Sequence, residues 1–204
     1  MDTTLLRLLA DDSAPLKRIA QHLDALVPEA RWSAVNALPR DAQRELWKRA
    51  EQGPPATLED FVPAHFPALV PLRHQGLNSL PLPRPLQLFE KRFCRPVDGS
   101  ARLFGYNEGI TRPLLGPGYF VARPTAGNAA WEARGAVVVD YFMVPDGKVS
   151  EGWPKVVPNS SGLQVLVYNG TRDFMRRVSS HVTIGAAYKG ERALDHYFVL
   201  CREG

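Results

Sequence analysis

Asp140 stands in the middle of Gly135-Ala-Val-Val-Val-Asp-Tyr-Phe-Met-Val144, the most apolar run of the chain. That run is apolar on both alternating faces and predicts a central strand covered on both sides. A carboxylate in such a strand must be paired, hydrogen-bonded or protonated, because an isolated buried charge is too costly. It reads either as a general acid/base or ligand anchor or, preferably, as the structural partner of an arginine.

The segment Phe104-Gly-Tyr-Asn-Glu-Gly-Ile-Thr-Arg112 gathers a phenol, an amide, a carboxylate and a guanidinium around two glycines, with Gly116-Pro-Gly-Tyr119 close behind. A loop of this kind at a sheet's end can present varied side chains on a rigid rim, which makes Tyr106, Asn107, Glu108, Arg112 and Tyr119 candidate ligand-binding residues. The competing reading is a turn, since Asn and Gly tolerate left-handed backbone. Trp153, in the extended Glu-Gly-Trp-Pro-Lys-Val-Val-Pro segment, joins the candidates. With Phe120, Tyr141, Phe142 and Tyr168 it could line an apolar cavity or belong to the core.

His181 has the side chain for proton transfer, and Glu108, Asp140 and His181 are the candidate catalytic set for a metal-independent hydrolase or proton-transfer enzyme. A histidine closing a helix has a sufficient structural reason in the helix dipole, and that reading is preferred. His22, His65, His74 and His196 are scattered, and no His-x-His, His-x-x-x-His or Cys-x-x-Cys spacing occurs, so no metal site is expected. No Gly-x-Ser-x-Gly elbow surrounds a serine, and no glycine-rich turn joins a strand to a long helix in dinucleotide-binding fashion. No cofactor is therefore expected. Thr171, Arg172 and Arg176 could hold an anion at the start of a helix expected over 171–180, against the plainer reading of a solvated basic face.

Three stretches must position these groups. Residues 1–52 predict three or four short helices: one capped by Ser13, with Leu16, Ile19, Ala20, Leu23, Leu26 and Val27 on one face and a stop at Pro28. A short segment through Trp32, Val35 and Leu38 follows. Another helix opens at Pro39, carries Ala42, Leu46, Trp47 and Ala50 inward, and ends at Gly53. Residues 53–85 hold eight of the 18 prolines and predict an extended strap, too proline-dense for helix or central strand. Its apolar side chains between the prolines suggest that it lies against the body. Residues 86–204 form the β-rich region. There the run 86–96 is ambiguous: Leu86, Phe89 and Phe93 fit a helical face, the slightly preferred reading, while Phe89, Lys91 and Phe93 fit strand alternation. Candidate strands follow at 102–106, 119–123, 136–144, 163–168, 182–188 and 197–201. The expected architecture is α+β: a helical segment and a proline-rich strap packed on a mainly antiparallel sheet or partly closed barrel, with boundaries 1–52, 53–85 and 86–204 inside one compact unit.

The 204 residues carry 45% hydrophobic and 23% charged side chains, a globular composition. The net charge of +4 is spread thinly, without a Lys/Arg run, so nucleic acid is not an expected partner. No apolar stretch approaches the roughly 20 residues of a membrane span. The N-terminus lacks the pattern of a secretory signal, which points to the cytoplasm, with Cys94 and Cys201 as buried or idle thiols. The leading expectation is a non-catalytic module that binds a small apolar or amphipathic molecule or a protein partner. The alternatives are the metal-independent enzyme and a protein-interaction or nucleic-acid adaptor.

Overall fold

The computed structural model describes residues 3–203. Its N-terminal region is four helices, α1 (Thr4–Ala10), α2 (Leu16–Ala25), α3 (Pro28–Asn36) and α4 (Arg40–Ala50). Proline sets their boundaries. Val27 is extended because the residue before a proline is pushed out of the helical region, Leu26 before it is extended as well, and Pro28 then occupies the first turn of α3 rather than merely ending α2. Ser13 does not cap α2; its hydroxyl donates to Asp11, and Pro15 holds the cap position. Two buried guanidinium groups fasten the helix ends. Arg49 of α4 donates to the carbonyls of Leu8, Leu9, Asp11 and Ala14, and Arg31 donates to those of Leu23 and Leu26. Those of Leu8, Leu9, Leu23 and Leu26 lie at helix C-termini, where carbonyls lack intrahelical partners, and that of Ala14 lies in the α1–α2 connection.

The rest of the chain closes into an antiparallel barrel in which each strand pairs with the next and the last returns to the first. The strands are β1 (Leu72–Asn78), β2 (Leu88–Cys94), β3 (Leu103–Glu108), β4 (Phe120–Pro124), β5 (Val137–Asp140), β6 (Thr171–Arg177), β7 (Val182–Lys189) and β8 (Arg192–Arg202). Single helical turns α5 (Arg84–Gln87), α6 (Arg112–Leu115) and α7 (Ala129–Glu132) sit in the connections. The helices cover the outer face of β7, β8 and β1, where Leu5, Ile19, Leu23, Val35 and Leu46 pack on Leu77, Val182, Ile184 and Val199.

The α+β class agrees with the sequence, but several elements differ. Prolines stop at Pro71 and resume at Pro81, and the proline-free interval forms β1, the strand that shuts the barrel. Residues 88–94 form a strand: side-chain alternation outweighs the helical spacing once β1 and β3 offer backbone partners on both sides. The expected helix 171–180 is also a strand, β6, hydrogen-bonded to β5 and β7, so the apolar Phe174 and Met175 point to opposite faces. The candidate strand 163–168 is instead a short 3-10 helix, Gly162–Leu166.

Strand alternation divides the side chains. Leu72, His74, Phe93, Leu103, Phe120, Ala122, Val137, Val139, Met175 and Leu200 face inward, and Phe61 and Val62 of the preceding segment plug one end. An eight-stranded barrel is just wide enough for its own side chains or one small ligand. Aromatic rings are accommodated where the wall lacks a side chain: a Cβ on Gly185 would collide with the Phe198 ring, and one on Gly105 with the Phe120 ring. The plugged end is packed solid around Phe61, Phe93 and His74, with ring centroids 4.9–5.9 Å apart.

Candidate functional site

The opposite end of the barrel is open. The loops after β1, β3 and β5 and the β7–β8 hairpin surround a cavity of 370 Å³, within the range of small-molecule sites. Its walls are mainly apolar: Leu80, Leu86, Leu88, Phe89, Leu115 and Phe198 are among them. Several exposed apolar side chains stand on the loops around it, including Leu82, Ile110, Leu114, Leu166 and Val167. Leu114 and Leu166 are 72% and 77% exposed, so the rim of the mouth is partly apolar.

The floor is polar and assembled from three strands and the end of β5. Lys91 of β2 points inward between Phe89 and Phe93, with only 2% of its side chain exposed. Its ammonium group lies 3.2 Å from Asp173 Oδ2 of β6 and donates to Asn107 Oδ1 of β3 at 2.9 Å. The Tyr141 hydroxyl is its third partner. That hydroxyl also meets Asp173 Oδ2 at 3.2 Å, and Asn107 Nδ2 donates to the Gly118 carbonyl at 3.0 Å. The rings of Phe120, Tyr141 and Phe198 surround Nζ with centroids 4.9–5.0 Å away. Tyr168 stacks on Tyr141 at 5.4 Å and carries the wall upward.

Burial governs the protonation of this floor. It pushes the Lys91 amine below its ordinary value, against the pull of Asp173, and pushes the Asp173 carboxyl up, against the pull of Lys91. Desolvation, aided by the nearby Asp173, also drives the Tyr141 phenol well above its ordinary value, and burial takes Tyr168 up to about 12. Both phenols therefore remain donors at any physiological pH.

The residues singled out in the sequence are distributed unequally. Asn107, Glu108 and Arg112 line the cavity. Glu108 sits at the rim, where burial would raise its pKa, but hydrogen bonds from Arg112 at 2.5 Å and from the Gly109 N–H hold it below the usual range. Tyr106 and Tyr119 alternate to the outside of the wall and pack on Trp153 in edge-on and tilted contacts, centroids 5.0 and 6.4 Å away, beneath the β5–β6 connection. Tyr119 donates to the Pro154 carbonyl at 2.5 Å. Of the proposed aromatic lining, Tyr141 and Tyr168 reach the cavity, Phe120 lies beneath Lys91, and Phe142 is exposed outside.

Asp140 faces away from the cavity. It forms ion pairs at 3.2 Å with both Arg123 and Arg172, which stack on Trp131, and accepts the Phe142 N–H. His181 lies in the β6–β7 turn at the plugged end, with Arg202 3.4 Å from its ring. Glu108, Asp140 and His181 are thus at the rim, on the outer wall and at the far end, and cannot act on one substrate. Thr171 begins a strand and borders the cavity, so no helix N-terminus exists there to hold an anion. Arg172 pairs with Asp140 and Glu191, while Arg176 stacks on Trp47 and reaches Glu51.

Lys91 and Asp173 are the floor residues that sequence reasoning did not single out as a site; Tyr141 was expected only as an apolar wall or core aromatic, not as a polar partner. The available signal was the alternation Phe89, Lys91, Phe93: a lysine between two large apolar residues on one strand face has to be buried with a partner. No group of His, Cys, Asp and Glu among the described residues is arranged to hold a metal ion, and no helix among them is long and apolar enough to cross a membrane. Cys94 and Cys201 are free and buried, their thiols pushed up to about 11 by burial. No family model, curated protein or solved structure matches the chain.

Proposed function

We propose that this chain is a binding module for a small amphipathic molecule, held in the mouth of the barrel without catalysis. The observation that carries this reading is the contrast within one barrel between a solidly packed end and a 370 Å³ cavity with apolar walls and a polar floor. The ligand's apolar portion lies against Leu86, Leu88, Phe89 and Phe198, and a polar group faces Lys91, Asn107 and Tyr141. The exposed apolar rim favours entry of such a molecule over that of a fully hydrated one.

Native mass spectrometry of freshly purified protein, compared with its denatured mass, tests retention of a ligand. Addition of 1-octanol with a thermal-unfolding readout tests the pocket directly, because a ligand that binds only the folded state raises the midpoint. The substitution Ala187→Phe, on the inward face of β7 opposite Asp173, fills the cavity from its wall. The expected result is stabilisation of the native protein by octanol and none for A187F. Absence of both a retained mass and any octanol effect on the native protein overturns the reading.

A further inference from the structure

Lys91 is the only lysine among the described residues lining the cavity, and its surroundings suit it to more than hydrogen bonding. Resting on the binding reading above, its chemistry names the ligand class. Two opposite charges facing each other at 3.2 Å on buried side chains can be removed together by moving one proton from Nζ to Asp173 Oδ2. The transfer leaves a neutral amine and a neutral carboxyl, and it avoids the desolvation cost of both ions. The amine so formed has a lone pair, which makes a desolvated lysine a nucleophile towards carbonyl carbon. Tyr141 and Asn107 hold Nζ at the floor, and the apolar walls above it would seat an alkyl or aryl group.

We propose that Lys91 captures an apolar aldehyde or ketone as an imine. Nζ attacks the carbonyl carbon, the N–C bond forms, and the C=O π pair moves to oxygen, which takes the proton held by Asp173. Asp173, now ionised, removes a proton from the nitrogen. Protonation of the carbinolamine hydroxyl by Asp173, with Tyr141 donating a hydrogen bond to it, breaks the C–O bond. Water leaves, and the nitrogen lone pair closes the C=N bond. The C=N nitrogen still carries one proton, and its return to Asp173 completes the sum: amine plus carbonyl giving imine plus water, with no change of oxidation state and no co-reactant. When the imine nitrogen is protonated, it occupies the place of the ammonium group opposite the Asp173 carboxylate, so the cavity floor carries the same charges before and after.

Reductive trapping tests this. The native protein is incubated with octanal and sodium cyanoborohydride at neutral pH, and the octyl group is located by intact mass and peptide mapping. Lys17, Lys48, Lys148, Lys155 and Lys189 serve as internal controls. The expected result is one octyl group, on Lys91, suppressed by excess 1-octanol. In Asp173→Asn, which retains an acceptor but cannot carry the proton, trapping should slow at least about tenfold, a modest share of what positioned acid–base groups contribute. That variant's fold is checked by its thermal response to octanol.

Octanol stabilisation of the native protein without labelling of Lys91 overturns the imine and leaves the binding pocket standing. Absence of both overturns the pocket and the imine with it. Label spread evenly over the lysines, or label on Lys91 that octanol does not suppress, also overturns the proposal.

Discussion

The two ends of the barrel use the same strands and the same inward alternation to opposite effect. At the plugged end, Phe61 and Val62 enter from the preceding segment, and Phe93, Leu103 and Met175 meet them until no space remains. His74 is buried there, with Nε2–H donating to the Phe61 carbonyl at 2.9 Å and its ring stacked on Phe61, while the nearby buried Asp60 pairs with Arg177 at 3.3 Å. At the mouth, no described segment enters to plug the barrel, and the buried titratable groups come as a set: Lys91, Asp173 and Tyr141 beside Asn107. A lone group in a full core stays neutral, whereas a paired group beneath a cavity can exchange a proton with its partner and with whatever enters. The difference shows where this fold spends side-chain volume on packing and where it leaves the volume that the proposed ligand would fill.

The largest expected effect comes from opening the full end. Phe93→Ala should lower unfolding free energy by about 4 kcal/mol, the usual cost of removing a buried ring, as read by urea denaturation. Octanol should still stabilise what remains folded; loss of octanol binding would show that the two ends are not separable.

At the mouth, Lys91→Met alone should destabilise by about 3 kcal/mol, because Asp173 is left buried without its cation. Adding Asp173→Leu should recover most of that loss, since apolar replacement of a buried pair is often neutral or favourable. A double variant no better than the single would mean that the pair holds the barrel together, and that the mouth contributes to stability in the same way as the plugged end.

Acid distinguishes the two ends further. Burial lowers the His74 pKa from 6.5 to about 3, so its folded form stays neutral while the unfolded chain takes up a proton. Its contribution is complete above the unfolded value and is lost progressively as pH falls from 6.5 towards 3. The sign follows from the unfolded state binding more protons in that window. Denaturation at pH 7 and pH 5 should differ by about 2 kcal/mol from this group. In His74→Phe that component of the slope should vanish. An unchanged slope would remove His74 as its source.

The smallest effect on stability is expected at the cavity wall. Leu86→Ala, at a partly exposed position, should change stability by less than about 1 kcal/mol while measurably weakening octanol binding. A large stability loss with unaltered octanol binding would reverse the assignment of this end to recognition.

Much of the outer architecture was legible in the residues. The amphipathic spacing of Leu16, Ile19 and Leu23, the proline opening α4, and the strands near 102–106, 119–123, 136–140, 182–188 and 197–201 follow from local rules, whereas the opening of α3 at Pro28 and strand β6 do not. The floor was not legible, because it joins residues 91, 107, 141 and 173, whose proximity depends on closure. Arginines that looked available for anions at 172 and 176 were instead consumed by Asp140 and Trp47, partners far away in sequence. Phe174 and Met175 lie in the helix expected over 171–180, because adjacent apolar residues suit a helix as well as a strand covered on both faces. Pairing with β5 and β7 decides between them.

The sequence by itself determined the α+β class, the helical N-terminus and the alternation that gives each strand of the β-rich region distinct faces, since these depend on neighbours a few residues apart. Only the tertiary structure decided that β1 would rise from the proline-rich stretch to close the barrel against β8. It also decided that one end would be plugged and the other left open over Lys91 and Asp173. The reason is physical: a strand's faces are set by its own side-chain period. Which face becomes an interior, and what shares that interior, is set by backbone hydrogen bonds to segments that lie far off along the chain.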